Sequence, residues 1–343
     1  MKSFIQGKTV LITGGLGSIG SELVRQVLQN DPKQVRIFDN RETEMFNLQQ
    51  ELEGHANVRF FIGDVRDKSR LTLAMENADI VFHAAALKHV PSCEYNPFEA
   101  VKTNVHGTQN VIDCAFENNV EKVVNISTDK VTNTINTMGA TKLLAERLVT
   151  AAQHYRGNKR TTFCTVRFGN VLGSRGSVLQ LFEDQIRRGV PVTITNYEMT
   201  RFFILIEQAV GLVFKAADIA RGGEIFILKM PTIKLKDLAE VAIEEIAPRY
   251  GKNVSEIQTR MIGHRPGERL HEELMTPEEA EHALETEDLF NVLPNIISQS
   301  DLEYLHQHHC DARKTMVKNY NSLENKHLSK EEVRGLLKGA KLV

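Results

Sequence analysis

Three groups of residues in this chain have the types and spacing to do chemistry. The first is Thr13-Gly14-Gly15-Leu16-Gly17-Ser18-Ile19-Gly20, which follows an apolar run and opens an amphipathic stretch. Glycines at 14, 17 and 20 let the backbone turn tightly, admit a pyrophosphate and present helix N-terminal N–H groups to it. Asp39 stands nineteen residues beyond Gly20, at the end of the next strand-like run, where a carboxylate binds ribose hydroxyls. It repels a 2′-phosphate and favours NAD, whereas Asn40 and Arg41 supply donors suited to NADP; the cofactor is read as NADP, with NAD left open. Asp64 and Val65, in Gly63-Asp64-Val65-Arg66, are placed to hold an adenine edge. The small side chains of Ala84, Ala85 and Ala86 let a dinucleotide pass close to the backbone.

The second group is Ser127-Thr128-Asp129-Lys130, after a fifth strand-like run, with Lys142 twelve residues beyond Lys130 in Met138-Gly139-Ala140-Thr141-Lys142. A lysine here acts as a base only when neutral; desolvation and Lys142 lower its pKa while Asp129 opposes them. The third group, Asn170, Arg175, Arg201, Arg265 and Glu268, is spread over the second half of the chain. Arginine forks suit phosphate oxygens, and a carboxylate such as Glu268 accepts from ribose hydroxyls.

Together the glycine motif, the Asn104-Val105 and Gly107-Thr108 run, the strand-end hydroxyl and the helical Lys142 resemble the extended short-chain dehydrogenase/reductase superfamily. Ala86-Leu87-Lys88-His89-Val90-Pro91, Ser127-Thr128-Asp129-Lys130 and Arg167-Phe168-Gly169-Asn170-Val171 resemble the soluble UDP-N-acetylglucosamine 4,6-dehydratases, above all the C5-inverting kind that begins pseudaminic acid synthesis. The resemblance covers roughly residues 5 to 280. It implies oxidation at C4 of the sugar by bound NADP, loss of water across C5 and C6, and hydride return to C6. It assigns Asp129 as acid for the departing C6 hydroxyl, Lys130 as base at C5 and Thr128 as hydrogen-bond partner of the C4 oxygen. It further implies that Lys88, Asn104, Ser127, Lys142, Phe168 and Asn170 touch the cofactor. The implied contacts to UDP-N-acetylglucosamine are Lys88, Met138, Asn170, Val178, Arg201, Arg265 and Glu268.

One position departs from the superfamily. Its usual Tyr-x-x-x-Lys places tyrosine and lysine on one helical face, where the lysine lowers the phenol's pKa. Here Met138 stands in place of the tyrosine and cannot move a proton, so the C4 base must be Lys130, Asp129 or Thr128 through water. Two other enzyme outcomes stay open, a nucleotide-sugar 4-epimerase and a dehydratase that releases a 5,6-ene. A non-catalytic dinucleotide sensor is the reading from a different class, supported only by Met138.

These residues need a scaffold, and the chain is long enough for one. Its 343 residues, 41% hydrophobic and 25% charged, suit one large domain or two with a substantial core. A formal charge of −2 argues against a protein that coats nucleic acid. Cysteines at 93, 114, 164 and 310 form no CxxC pair, which suits a reducing compartment, and the chain is read as cytoplasmic. No apolar run is long enough to span a membrane, and no signal-peptide pattern precedes the first strand. His306-Gln307-His308-His309-Cys310 has four ligand types but no partner cluster, so no metal is expected.

Alternating apolar runs and amphipathic stretches predict an α/β fold, a Rossmann-type doubly wound parallel sheet with a smaller C-terminal substrate lobe. Strands are expected near Lys8–Thr13, Gln34–Phe38, Val58–Ile62, Ile80–Ala84, Lys122–Ser127 and Thr162–Phe168. Helices are expected near Ser18–Gln29, Glu42–Glu53, Leu71–Met75, Pro97–Asn118, Gly139–His154 and Leu235–Ile246. Residues 1–168 read as the NAD(P)-binding domain, with segments recurring later, 169–300 as the UDP-sugar lobe and 301–343 as a polar tail. That tail closes on a capping box at Ser329-Lys330-Glu331-Glu332, with its Lys330–Lys341 charges read as a solvated face. By resemblance the chain is expected to form a homo-oligomer, a dimer or a hexamer.

Overall fold

The computed structural model describes residues 3–264, 266–295 and 298–343. Strands β1 (Thr9–Thr13), β2 (Gln34–Asp39), β3 (Val58–Ile62), β4 (Ile80–His83), β5 (Lys122–Ile126) and β6 (Thr162–Arg167) alternate with helices. These are α1 (Ser18–Leu28), α2 (Glu42–Glu51), α3 (Lys68–Met75), α4 (Val90–Tyr95), α5 (Pro97–Ala100), α6 (Gly107–Glu117) and α7 (Thr137–Tyr155). There follow β7 (Asn170–Leu172), α8 (Val178–Arg188), β8 (Val192–Ile194), β9 (Thr200–Leu205), α9 (Ile206–Ile219), β10 (Ile225–Leu228), β11 (Thr232–Lys234) and α10 (Leu235–Ile246). The remainder holds β12 (Thr259–Met261), β13 (Glu273–Met275), α11 (Pro277–Glu281), β14 (Ala283–Glu285) and β15 (Leu289–Val292). It ends with α12 (Gln299–His308), β16 (Arg313–Lys314), β17 (Tyr320–Asn321) and α13 (Lys330–Gly339).

Every residue of β1 is buried, as a strand covered on both faces requires. One sheet runs in the order β16-β14-β15-β10-β6-β5-β4-β1-β2-β3. From β3 to β10 all neighbours are parallel, with Val10 opposite both Val35 and Ile80. Antiparallel β15, β14 and β16 extend the β10 edge. Leu23 of α1 and Val213 of α9 pack one face of the sheet, and Leu71 of α3, Val111 of α6 and Val149 of α7 pack the other. The chain therefore forms the α/β, Rossmann-type doubly wound sheet expected of it. A separate core around Phe182, Ile194, Leu238 and Val241 builds the smaller lobe.

Several local expectations need correction. The single helix expected over Pro97–Asn118 is broken into α5, a π-helical stretch Val101–His106 and α6. The wider turn lets Asn104 reach sideways: its Oδ1 accepts from the Leu87 N–H at 2.8 Å and its Nδ2 donates to the Leu87 carbonyl at 3.0 Å. The glycines and prolines from Gly169 to Pro231 suggest only loops and short elements before the helix at Leu235, yet α8 and α9 form there, their apolar residues facing cores that other segments complete. The capping box at Ser329 and Glu332 forms, yet the charges beyond it are not simply solvated. Lys330 pairs with Glu240, Arg334 with Glu244 and Glu245, and Lys338 with Glu245 of α10, while Val333 and Leu337 are fully buried. His309, expected on a polar surface element, is buried with its Nε2 3.0 Å from Glu224. Among the described residues no helix is long and apolar enough to cross a membrane.

Candidate active site

A cleft of about 1030 Å³ opens along the carboxyl ends of the parallel strands, where open α/β sheets hold ligands. Its floor is the turn between β1 and α1. Gly14 has φ +67°, and a Cβ there would stand 2.6 Å from the Ala85 nitrogen, so only glycine lets this turn meet the His83–Ala86 loop. Gly20 is equally constrained, because its Cβ would collide with the Gly14 carbonyl. Gly17 caps α1 without any side-chain bond, which leaves the first-turn N–H groups to an anion. Ser18, Ile19 and Gly20 line the cleft there. Thr13 does not; it is buried and fixes His83 instead, its hydroxyl 2.7 Å from Nδ1.

At the end of β2 the conflicting cofactor signals meet. Asp39 Oδ2 accepts from the Leu16 N–H at 3.0 Å, and the Arg41 guanidinium donates to both Asp39 oxygens at 3.0 Å. Asn40 Nδ2 reaches Asp64 Oδ2 at 3.2 Å, and Arg66 holds the Asp64 carboxyl below the usual carboxylate range through its own hydrogen bonds. These residues, with Val65 and Ala84 to Ala86, form one continuous wall. The donors, the glycine cradle and the uncapped helix end fit a dinucleotide.

Ser127, Thr128 and Lys130, in the turn after β5, form the second wall, with Asp129 beneath them and off the lining. Asp129 is 1% exposed, and its Oδ1 accepts from Thr128 Oγ1 and from Lys130 Nζ, each at 2.8 Å. Its Oδ2 is buried without a hydrogen-bond partner, as is Ser127 Oγ. Two unpaired buried polar atoms beside an ion pair are groups that a polar ligand would satisfy. Burial pushes the Lys130 ammonium down, but Asp129 and Glu272 outweigh it and hold the pKa above its ordinary value. Lys142 differs: burial pushes it down to about 8, with Glu146 resisting, and its Nζ donates to the Ile126 carbonyl at 2.6 Å. Met138, one turn earlier on α7, lines the cleft and packs against Cys93 and Ala100. Gly139 allows this close start of α7, since a Cβ there would strike the Lys130 carbonyl.

Lys88, Phe168, Asn170 and Val178 line the far side of the cleft, and Lys88 Nζ donates to the Arg175 carbonyl at 2.9 Å. Burial and Arg175 lower the Lys88 pKa. Asn104 stands behind this wall, as the anchor of Leu87. Arg201 is also off the wall: it is 6% exposed, and its guanidinium donates to the carbonyls of Thr200, Arg269 and Leu270 at 2.7, 2.7 and 3.0 Å. Glu268 lies 3.8 Å from Arg201, with its Oε2 buried and unpaired. Arg265 falls outside the described residues.

Sequence reading missed Glu272, 3% exposed, whose Oε1 lies 3.8 Å from Lys130 Nζ and 3.4 Å from Arg201 Nε. It also missed the buried ion triad of Arg167 with Glu146 and Glu279, at 2.7 and 2.8 Å, behind the same turn. No local spacing signals either, because the partners come from segments more than a hundred residues apart or from separate elements.

Comparison with known proteins is consistent with this geometry. Residues 10–294 match the family described as polysaccharide biosynthesis protein. The chain is 53% identical to an uncharacterized membrane protein of Methanocaldococcus jannaschii, covering 98% of this chain and 97% of that one. It is 44% identical to a UDP-N-acetylglucosamine 4,6-dehydratase (inverting) of Campylobacter jejuni, over 84% of each chain. It is 40% identical to a UDP-glucose 4-epimerase of Rickettsia felis, over 96% of this chain and 95% of that one. Among solved structures, Pen from Bacillus thuringiensis shares 46% identity over 99% of each chain, with a TM-score of 0.92.

Proposed function

The chain belongs to the polysaccharide biosynthesis protein family, and we propose that within it this protein is an NADP-dependent UDP-N-acetylglucosamine 4,6-dehydratase that inverts C5. The observation that carries the reading is the Asp129–Lys130 pair, 2.8 Å apart, at the cleft end of β5. An epimerase that returns hydride to C4 has no use for an acid and a base at C6 and C5.

Gly14, Gly17, Ser18, Ile19 and Gly20 would hold the pyrophosphate of the dinucleotide, Asp39, Asn40 and Arg41 its adenosine ribose, and Lys142 and Ser127 its nicotinamide half. When bound, the nicotinamide supplies hydride uptake and return. The chain's own residues then account for the protons of the oxidation and the elimination. Thr128 already donates to Asp129 Oδ1, so its oxygen can accept the proton of the C4 hydroxyl while its own proton moves to Asp129. That relay supplies the base that Met138 cannot. Asp129, now protonated, delivers the same proton to the departing C6 hydroxyl, and water leaves. Inversion requires the proton returned to C5 to come from solvent on the opposite ring face, and Lys130 takes the original C5 proton. For this it must be neutral, and a sugar covering the quarter of its side chain now open strengthens the desolvation that drives the proton off.

The test is to incubate the purified protein with UDP-N-acetylglucosamine in deuterated water, with no external cofactor, and to follow the sugar by proton NMR and mass spectrometry. A new C6 methyl signal with deuterium at C5, and ring couplings of the inverted configuration, is the expected result. The C4 epimer instead would establish the second reading, which the Rickettsia felis relative supports through its 96% coverage of this chain. Accumulation of a 5,6-ene would place the stop after elimination.

A further inference from the structure

Behind the acid/base pair lies a carboxylate that is off the cleft lining and belongs to none of the sequence motifs. Glu272 precedes β13 and is almost fully buried. Its backbone is clamped on both sides by the C-terminal segment: its N–H donates to Ser322 Oγ at 2.9 Å, and its carbonyl accepts from the Ser322 N–H at 2.8 Å. Ser322 is itself fully buried and tied to Thr200, hydroxyl to hydroxyl at 2.8 Å. Such a clamp leaves the Glu272 side chain little freedom. Its Oε1 faces two cations at once, Lys130 Nζ at 3.8 Å and Arg201 Nε at 3.4 Å.

The two cations are not equivalent. Arg201 spends its other donors on three backbone carbonyls and is locked in place. Lys130 has one short partner, Asp129, and sits at the cleft surface. The charged groups bearing on Lys130 are thus Asp129 from its own turn, Glu272 from the segment before β13 and Arg201 from β9, the last opposing the first two. A carboxylate within about 4 to 6 Å of an amine favours its charged form by roughly 1 to 3 pKa units, and Arg201 on the same oxygen trims the effect to the low end.

We propose that Glu272 is the positioning residue of the pair: its carboxylate, on a backbone that Ser322 clamps, fixes the Lys130 side chain over Asp129 and keeps its proton in place until a substrate displaces solvent. Glu272 itself touches no reacting atom. The proposal rests on the reading of Asp129 and Lys130 as acid and base, but its central claim concerns the free protein and can be tested without turnover.

The experiment is trace acetylation of Lys130 in the whole folded protein across a pH series, with the modified fraction read by mass spectrometry, because only the neutral amine reacts. Relative to the unsubstituted chain, Glu272→Gln should move the midpoint about one pH unit lower. Glu272→Asp, which keeps the charge but withdraws it by one methylene, should move it by less in the same direction. The rising limb of kcat against pH should shift down in parallel, with KM changed less than twofold. An unchanged acetylation midpoint in both variants overturns the proposal, and so does a rise. If the glutamine variant does not fold, the aspartate variant decides alone. A lowered midpoint in a protein that shows no dehydration of UDP-N-acetylglucosamine would uphold the role of Glu272 and refute the proposed reaction instead.

Discussion

Arg41 folds back onto Asp39, its guanidinium giving one hydrogen bond to each carboxylate oxygen at 3.0 Å. The acidic residue that would repel a 2′-phosphate is therefore neutralised by the cation two positions along, and Asp39 is left 6% exposed. The same carboxylate also accepts the Leu16 N–H at 3.0 Å, so it braces the glycine turn as well as the cleft wall it forms with Arg41.

Removing that guanidinium should separate the two cofactors. Arg41→Ala is expected to weaken NADP binding about tenfold while NAD changes little, because only the phosphorylated ribose loses a charge partner. Calorimetric titration with each dinucleotide checks it. Equal losses for both would show that Arg41 serves only to hold Asp39.

Lys130→Ala should abolish the deuterium-labelled product, a loss of about 10²- to 10⁴-fold or more for an essential acid/base group, while the protein still binds its dinucleotide. Turnover like that of the unsubstituted chain would remove the lysine from the chemistry.

Met138→Tyr should not raise turnover appreciably, since Thr128 and Asp129 already offer a proton path. Met138 packs against Cys93 and Ala100 in a tight cluster, so a larger ring is expected to cost about 1 to 3 kcal/mol in urea denaturation. A large gain in rate would show that the relay through Thr128 is not the working base.

His83 provides the pH prediction. It is 1% exposed between Thr13 and Thr108, and burial, helped by Lys142, pushes its pKa down to about 3 from 6.5. Thr108 spends its hydroxyl proton on the Asn104 carbonyl, so it accepts from Nε2–H, and the ring is neutral with Nδ1 accepting from Thr13. A depressed pKa means the unfolded chain takes up protons first: stability is full above about pH 6.5 and falls as the pH drops towards 3. At pH 5 the loss from this group is about 2 kcal/mol. His83→Gln, neutral throughout, should lose that increment between pH 7 and 5 in denaturant titrations.

Arg167 lies between two carboxylates with 1% of its side chain exposed, joining β6 to α7 and α11. Arg167→Met should destabilise the protein by about 3 to 5 kcal/mol, because Glu146 and Glu279 are left as unpaired buried charges. A loss under about 1 kcal/mol in the denaturant midpoint would mean that the two glutamates take up protons freely instead.

Much of the fold was legible because its determinants are local. The apolar runs of β1 to β6, the glycines at 14, 17 and 20 and the capping box at Ser329 each act within a few residues, and the structure places them where their spacing implies. Elements whose apolar faces meet distant partners were less legible. The glycines and prolines around α8 and α9 hid two helices whose covering cores come from elsewhere, and the π-helical turn at Val101–His106 carries Asn104, whose bonds to Leu87 seventeen residues away no local spacing signals.

The site divides along the same line. Local spacing along the chain already set which residue types gather at the strand ends: the glycines at 14, 17 and 20, Asp39 with Arg41, Asp129 with Lys130, and Met138 one turn before Lys142. Tertiary packing settled how they are charged and held. It turned Arg201 inward onto backbone carbonyls, set the tautomer of His83 and brought Glu272 to Lys130 across more than 140 residues. Charge and proton placement depend on distances and burial among segments far apart in the chain, and spacing along one strand carries no record of either.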